Sequence, residues 1–147
     1  MGLVSVSPEF KLYDEQWPLR TEQPIYPPAK CVFAEGNRRM GVGVNSTVCA
    51  GGIVSGGRGV NSVLSPGVRV NSHAEVESSI LFRNVVVGPH SRIRRAIIDS
   101  RVRLPEYTEI GFDVAQDRRK GHFVTESGIV VVHSASPGVE KQDHENG

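Results

Sequence analysis

From residue 64 to residue 110 the large aliphatic side chains fall at Leu64, Val70, Val76, Leu81, Val87, Ile93, Ile98, Leu104 and Ile110, in steps of 6, 6, 5, 6, 6, 5, 6 and 6. A helical face repeats every 3.6 residues and a half-buried strand every two, so neither long helices nor a simple meander fits. Three steps sum to 17. Rows of 17 started at residues 53, 70, 87 and 104 put like on like: Ile53, Val70, Val87 and Leu104 in one column, the small Gly57, Ala74, Ser91 and Thr108 in another, Gly59, Val76, Ile93 and Ile110 in a third. Val63, Ile80, Ile97 and Val114, then Leu64, Leu81, Ile98 and Ala115, and Val68, Val85 and Val102 complete the pattern. A sandwich of short strands does not hold columns at a fixed spacing. A three-sided coil does: each short strand turns one aliphatic inward, a small residue lets the chain turn each corner, and successive coils stack at roughly 4.8 Å. The imperfect hexapeptide spacing predicts an all-β chain, a single-stranded left-handed parallel β-helix whose coils bury their faces only by stacking.

The pattern divides the chain. Residues 1–41 read as an irregular segment, because Pro8, Pro18, Pro24, Pro27 and Pro28 forbid a long helix. Residues 42–133 read as the β-helix, with the charged stretch Gln116 to Lys120 before a closing strand at Gly128 to His133. Residues 134–147 are polar, lack a core pattern and read as a disordered tail. Composition sharpens this picture only a little. With 17 basic and 16 acidic residues the chain has no net field to hold nucleic acid. Its apolar runs are four or five residues long, too short to cross a membrane as helices. Cys31 and Cys49, with no secretory leader before them, suit reduced thiols in a cytoplasm.

Arginine carries the strongest chemical signal. Arg83, Arg92, Arg94, Arg95, Arg101 and Arg103 lie within 21 residues, opposed there only by Asp99. Row positions pair Arg92 with Glu75 and Glu109, and Arg94 with Glu77, as cross-coil ion pairs on a solvated face. The columns of Arg69, Arg83, Arg95, Arg101 and Arg103 hold no acidic residue, which points these five to an anionic effector, an interface or an exposed basic face. His73, His90 and Tyr107 share a column. No third ligand completes a metal site there, and an exposed stack at a turn explains them; a histidine base of a hexapeptide-repeat acyltransferase is the competing reading. Gly56-Gly57-Arg58-Gly59 lacks the lysine and the helix of a phosphate loop, so corner glycines account for it better.

Several segments together carry a resemblance. Leu12 to Thr21 and Pro27-Pro28-Ala29-Lys30, then Val44-Asn45-Ser46, Ser62-Val63-Leu64, Val68 to Ser72, Arg95 to Asp99, Ile110-Gly111 and Glu126 to Val132 resemble the joining segment and β-helix domain of bacterial glucose-1-phosphate adenylyltransferases. The resemblance covers about residues 3–133. It implies an enzyme that joins ATP and glucose 1-phosphate into ADP-glucose and pyrophosphate with Mg2+, in glycogen biosynthesis. It places the chemistry in an N-terminal nucleotidyltransferase domain with a Gly-rich fingerprint that this chain does not contain, so no catalytic residue and no cofactor is expected here. It further implies a homotetramer and allosteric sites for phosphorylated metabolites, for which Arg20, Lys30, Arg95, Arg101 and Arg103 are the candidates. Ser100 stands where the family usually has a basic residue after Ile98-Asp99, and Ser134 and Ala135 follow His133 where the family has basic residues after the last strand.

Overall fold

The computed structural model describes residues 25–34, 39–136 and 139–141. In chain order the strands are β1 (Lys30–Ala34), β2 (Arg39–Met40), β3 (Val42–Val44), β4 (Thr47–Val48), β5 (Ile53–Ser55), β6 (Arg58–Val60), β7 (Val63–Leu64), β8 (Arg69–Val70) and β9 (Glu75–Glu77). They continue as β10 (Ile80–Leu81), β11 (Val86–Val87), β12 (Arg92–Arg94), β13 (Ala96–Ile98), β14 (Val102–Leu104) and β15 (Glu109–Ile110). After the helix α1 (Val114–Arg119) come β16 (Phe123–Val124), β17 (Val130–Val132) and β18 (Glu140–Lys141). Every third strand of the repeat joins the same sheet, giving faces ordered β18-β14-β11-β8-β5-β1-β2, β16-β17-β13-β10-β7-β4 and β15-β12-β9-β6-β3. The result is the expected three-sided parallel β-helix of hexapeptide-repeat type.

The columns are hydrogen-bonded rungs. Val70 lies opposite Val87 and Val87 opposite Leu104; Leu64, Leu81 and Ile98 align likewise. Their side chains are all but fully buried, with Val54, Val68, Val76, Val85, Ile93, Val102 and Ile110 in the same core. The outward residues between them stay partly or fully exposed. This alternation follows from strands only two or three residues long, in which successive side chains point in and out in turn, so that β9 and β12 bury their middle residue and β13, β14 and β17 bury the two flanking ones.

Two departures from the 17-residue frame have local causes. Val54, not Ile53, lies opposite Val70, and Ile53 lies opposite Arg69. Gly59 still faces Val76, so the corner at Gly56-Gly57 is one residue short. A Cβ on Gly57 would stand 2.7 Å from the Asn71 carbonyl oxygen and from a Val70 methyl, so only glycine allows that tight corner. The second departure lies at the other end. The columns extend to Val114 and Ala115, yet both sit in α1, and Val131 and Val132 occupy the rungs opposite Ile97 and Ile98. The chain leaves the coil at Gly111, whose φ of +85° suits glycine. Asp113 then caps α1, accepting hydrogen bonds from the N–H groups of Ala115 and Gln116, and this cap outweighs weak apolar columns. The buried Asp117 carboxylate accepts the Gly111 N–H at 2.9 Å and ties the excursion to the coil.

The ends also differ from expectation. Lys30–Ala34, expected to be irregular, pairs in parallel with β5, because the prolines stop at Pro28 and a β-prone run follows. Beyond Ser134, where no order was expected, Val139 packs on the core and Glu140–Lys141 pairs antiparallel with β14, covering an edge that would otherwise stay open.

Corners repeat as faithfully as strands. Asn61, Ser78 and Arg95 adopt φ of +48°, +47° and +49°; His73, His90 and Tyr107 adopt +61°, +57° and +56°; Gly67, Asn84 and Arg101 adopt +76°, +58° and +60°. At the first of these corners runs a serine ladder. The Ser62 N–H donates to Ser46 Oγ, the Ser79 N–H to Ser62 Oγ and the Ala96 N–H to Ser79 Oγ, at 3.1, 3.2 and 3.1 Å. Each of the three hydroxyls donates to a carbonyl two residues earlier.

Candidate functional site

The arginine-rich region does not form one cluster. The corner column of Gly67, Asn84 and Arg101 runs up an edge between two faces, each N–H donating to the coil before it: Gly67 to Ala50, Asn84 to Pro66 and Arg101 to Arg83, at 3.2, 3.1 and 2.8 Å. Beside it lies an open cavity of about 570 Å3 lined by Tyr26, Pro66, Phe82, Arg83, Asn84, Ser100 and Arg101, with Ser65 at its side. Arg83 and Ser100, like Asn84 and Arg101, are 17 residues apart, one coil over the other. Two guanidinium groups, two hydroxyls, an amide and two aromatic rings therefore share one recess. Such a set can bind an anion through the guanidinium forks and a flat or apolar body through Tyr26 and Phe82.

The other candidates lie elsewhere. Lys30 is exposed at the start of β1. It faces Ile53, which faces Arg69, then Val86 and Arg103. Four strand spacings, roughly 19 Å, separate Lys30 from Arg103 on this outer column. Arg103 is exposed on β14, outside the cavity lining, and its backbone register places Glu140 opposite. Arg95 occupies a different corner, where its Nη2 donates to the Ser127 carbonyl at 2.6 Å and pins the returning loop. Arg20 lies outside the described residues. Arg101 and Arg83 are thus brought together, while Lys30, Arg95 and Arg103 are not. Tyr26, Phe82 and Ser100 were missed as lining residues; the signal for Phe82 and Ser100 was their neighbourhood, in rows 17 apart, to Arg83 and Arg101.

Two of the expected ion pairs form, Arg92–Glu109 at 3.6 Å and Arg94–Glu77 at 3.7 Å, with all four side chains about half exposed; Arg92 pairs with Glu109 rather than with Glu75. The ring column is also present. His73 stacks on His90 at 4.6 Å and His90 on Tyr107 at 5.0 Å, near parallel. The rings stack because the backbone repeats beneath them, which explains the column without a general base. Burial pushes the Cys49 thiol up, away from thiolate reactivity. His122 is buried with Nδ1 unpartnered among the described residues; burial lowers its pKa, against a smaller raising effect of Asp117, with Lys120 adding to the lowering. Among the described residues no group of His, Cys, Asp and Glu side chains fits a metal ion, and no helix is long and apolar enough to cross a membrane.

The family described as GlmU-like, C-terminal hexapeptide matches residues 27–132. Similar proteins named glucose-1-phosphate adenylyltransferase include one from Koribacter versatilis, 61% identical over 90% of this chain, one from Rhodopirellula baltica at 54% over 90%, and one from Geobacter metallireducens at 53% over 92%. The chain spans 31%, 30% and 32% of their respective lengths. These names do not favour the acyltransferase reading of His73 and His90. The match across the whole repeat, with a rung register that accounts for it residue by residue, places this chain in the GlmU-like C-terminal hexapeptide family, as the β-helical part that it shares with glucose-1-phosphate adenylyltransferases.

Proposed function

We propose that this chain serves as the regulatory and oligomerisation β-helix of a glucose-1-phosphate adenylyltransferase. In this reading an N-terminal nucleotidyltransferase domain joins ATP and glucose 1-phosphate into ADP-glucose and pyrophosphate in the cytoplasm, for glycogen biosynthesis, within a homotetramer. The observation that carries it is the 61% identity over 90% of the chain to a protein of that name. In this reading magnesium and ATP belong to the nucleotidyltransferase domain, as the resemblance implies. The β-helix supplies a rigid rod and, at its corner, the Arg83–Arg101 recess for a phosphorylated metabolite. An effector acts there only if it binds one arrangement of the two domains better than another.

A chimera tests this: the nucleotidyltransferase part of the Koribacter versatilis relative joined ahead of this chain. The expected result is an assembled enzyme that forms ADP-glucose and changes rate with a sugar phosphate or a related metabolite. Arg83→Ala and Arg101→Ala should weaken that response and make it less salt-dependent. A soluble, folded chimera that stays monomeric, or that makes ADP-glucose but ignores fructose 1,6-bisphosphate, fructose 6-phosphate, pyruvate and AMP alike, refutes the assembly or the regulatory half respectively.

A further inference from the structure

The outer face of the five-stranded sheet carries charge in horizontal stripes. Arg58, Glu75, Arg92 and Glu109 align in one column, and Glu77 and Arg94 align in the next, beyond Val60. Each coil therefore shows one sign: Arg58 positive, Glu75 with Glu77 negative, Arg92 with Arg94 positive, Glu109 negative. All six side chains belong to exposed residues, and the positive and negative groups cancel. Between the columns runs a recess of about 270 Å3 whose lining includes Phe112, its ring 4.4 Å from the Arg92 guanidinium carbon.

This sequence of stripes is self-complementary in only one orientation. A two-fold axis lying parallel to the strands, halfway between the Glu75 and Arg92 rungs, turns a second copy upside down. Arg58 then meets Glu109 of the second copy, Glu75 meets its Arg92, and Glu77 meets its Arg94, so every stripe faces the opposite sign. A two-fold axis along the β-helix keeps rungs level and sets Glu75 against Glu77 and Arg92 against Arg94, which repel. We infer that this face packs on the same face of a second copy of the chain, with the two β-helix axes antiparallel. The pairing is isologous, as two-fold contacts are, and the charges set its register and orientation more than its strength. Five strands give a face roughly 20 Å tall, smaller than the patch a stable dimer buries, so the contact is salt-sensitive and acts as one interface of a larger assembly.

The inference rests on the assembly reading above, and one experiment separates them. Glu75→Arg and Arg92→Glu are prepared singly, and self-association is followed by sedimentation at low salt, with circular dichroism checking the fold. The wild type should associate, and each reversal alone should raise the dissociation constant about tenfold or more, because like charges now face each other. An equimolar mixture of the two variants should associate as the wild type does. The introduced arginine of one variant then meets the introduced glutamate of the other, and the unchanged Arg92 of the first meets the unchanged Glu75 of the second. A wild type that associates regardless of the reversals, or a mixture of folded variants that stays dissociated, overturns the inference and leaves the assembly reading standing. A monomeric wild type sinks both. If either variant fails to fold, Glu77→Arg with Arg94→Glu provides the same crossed test.

Discussion

The serine ladder allows a graded test of what holds the coils together. Ser62 and Ser79 are buried, and each hydroxyl accepts the N–H of the coil above while donating within its own coil. Ser79→Ala leaves the buried Ala96 N–H without its acceptor, and Ser62→Ala does the same to the Ser79 N–H. An orphaned buried donor loses about 1–3 kcal/mol, so each substitution should lower the unfolding free energy by roughly that amount. Because Ser62 and Ser79 are hydrogen-bonded to each other in one network, the double variant should depart from the sum of the single losses, by about 0.5–3 kcal/mol. Ser46→Ala is the internal control. Its hydroxyl accepts the Ser62 N–H at the open end of the ladder in a bond that is only part-buried, where water can partly replace it, so its effect should fall at or below about 1 kcal/mol, the low end of that range. Urea unfolding at low protein concentration measures all four, with the slope checked for constancy. Equal losses for Ser46→Ala and Ser79→Ala would refute the ladder as a source of stability.

Three further outcomes follow from the same packing. Ile98→Ala removes a fully buried side chain held between Leu81 and Val132 and should lower stability by about 2–5 kcal/mol in the same unfolding assay. Gly111→Ala puts a Cβ against the Arg94 carbonyl oxygen at φ of +85° and should lower the urea midpoint by the equivalent of about 2–4 kcal/mol. His122 titrates below its ordinary 6.5 because burial disfavours the cation; the unfolded chain takes up the proton first, so stability is full above about pH 6.5 and declines as the pH falls below it. His122→Gln should flatten that limb of the stability–pH curve, and an unchanged slope would assign it to other groups.

The fold was legible because its signal is redundant. Leu64, Leu81 and Ile98, or Val70, Val87 and Leu104, state the same spacing several times, and inward positions tolerate little but aliphatics. What escaped was local. The Ile53–Val54 slip depends on how few residues Gly56-Gly57 needs to turn, which a period cannot express. Ala115 kept the column but lost the rung, because the Asp113 cap and the Gly111 turn act over a few residues and override a weak repeat. The ladder of Ser46, Ser62 and Ser79 was hidden among small corner residues. The ion pairs of Arg92 and Arg94 followed directly from column position. The recess at Arg101 was only half visible: 17-residue spacing aligns Arg83 with Ser100, but Tyr26 comes from outside the repeat and no spacing predicts it.

The excursion from Gly111 to Ile129 rejoins the lattice at Val130, 34 residues past Ala96, the span of two full coils. Because departure and return both happen at corners, the rungs on either side do not sense what is carried between them. A change in chain length of one residue inside a strand would throw inward groups outward, whereas whole turns, or side trips that come back in phase, leave the interior undisturbed. Such a scaffold can be lengthened, shortened or decorated by discrete units, and this terminal excursion marks a place where a guest segment could be carried.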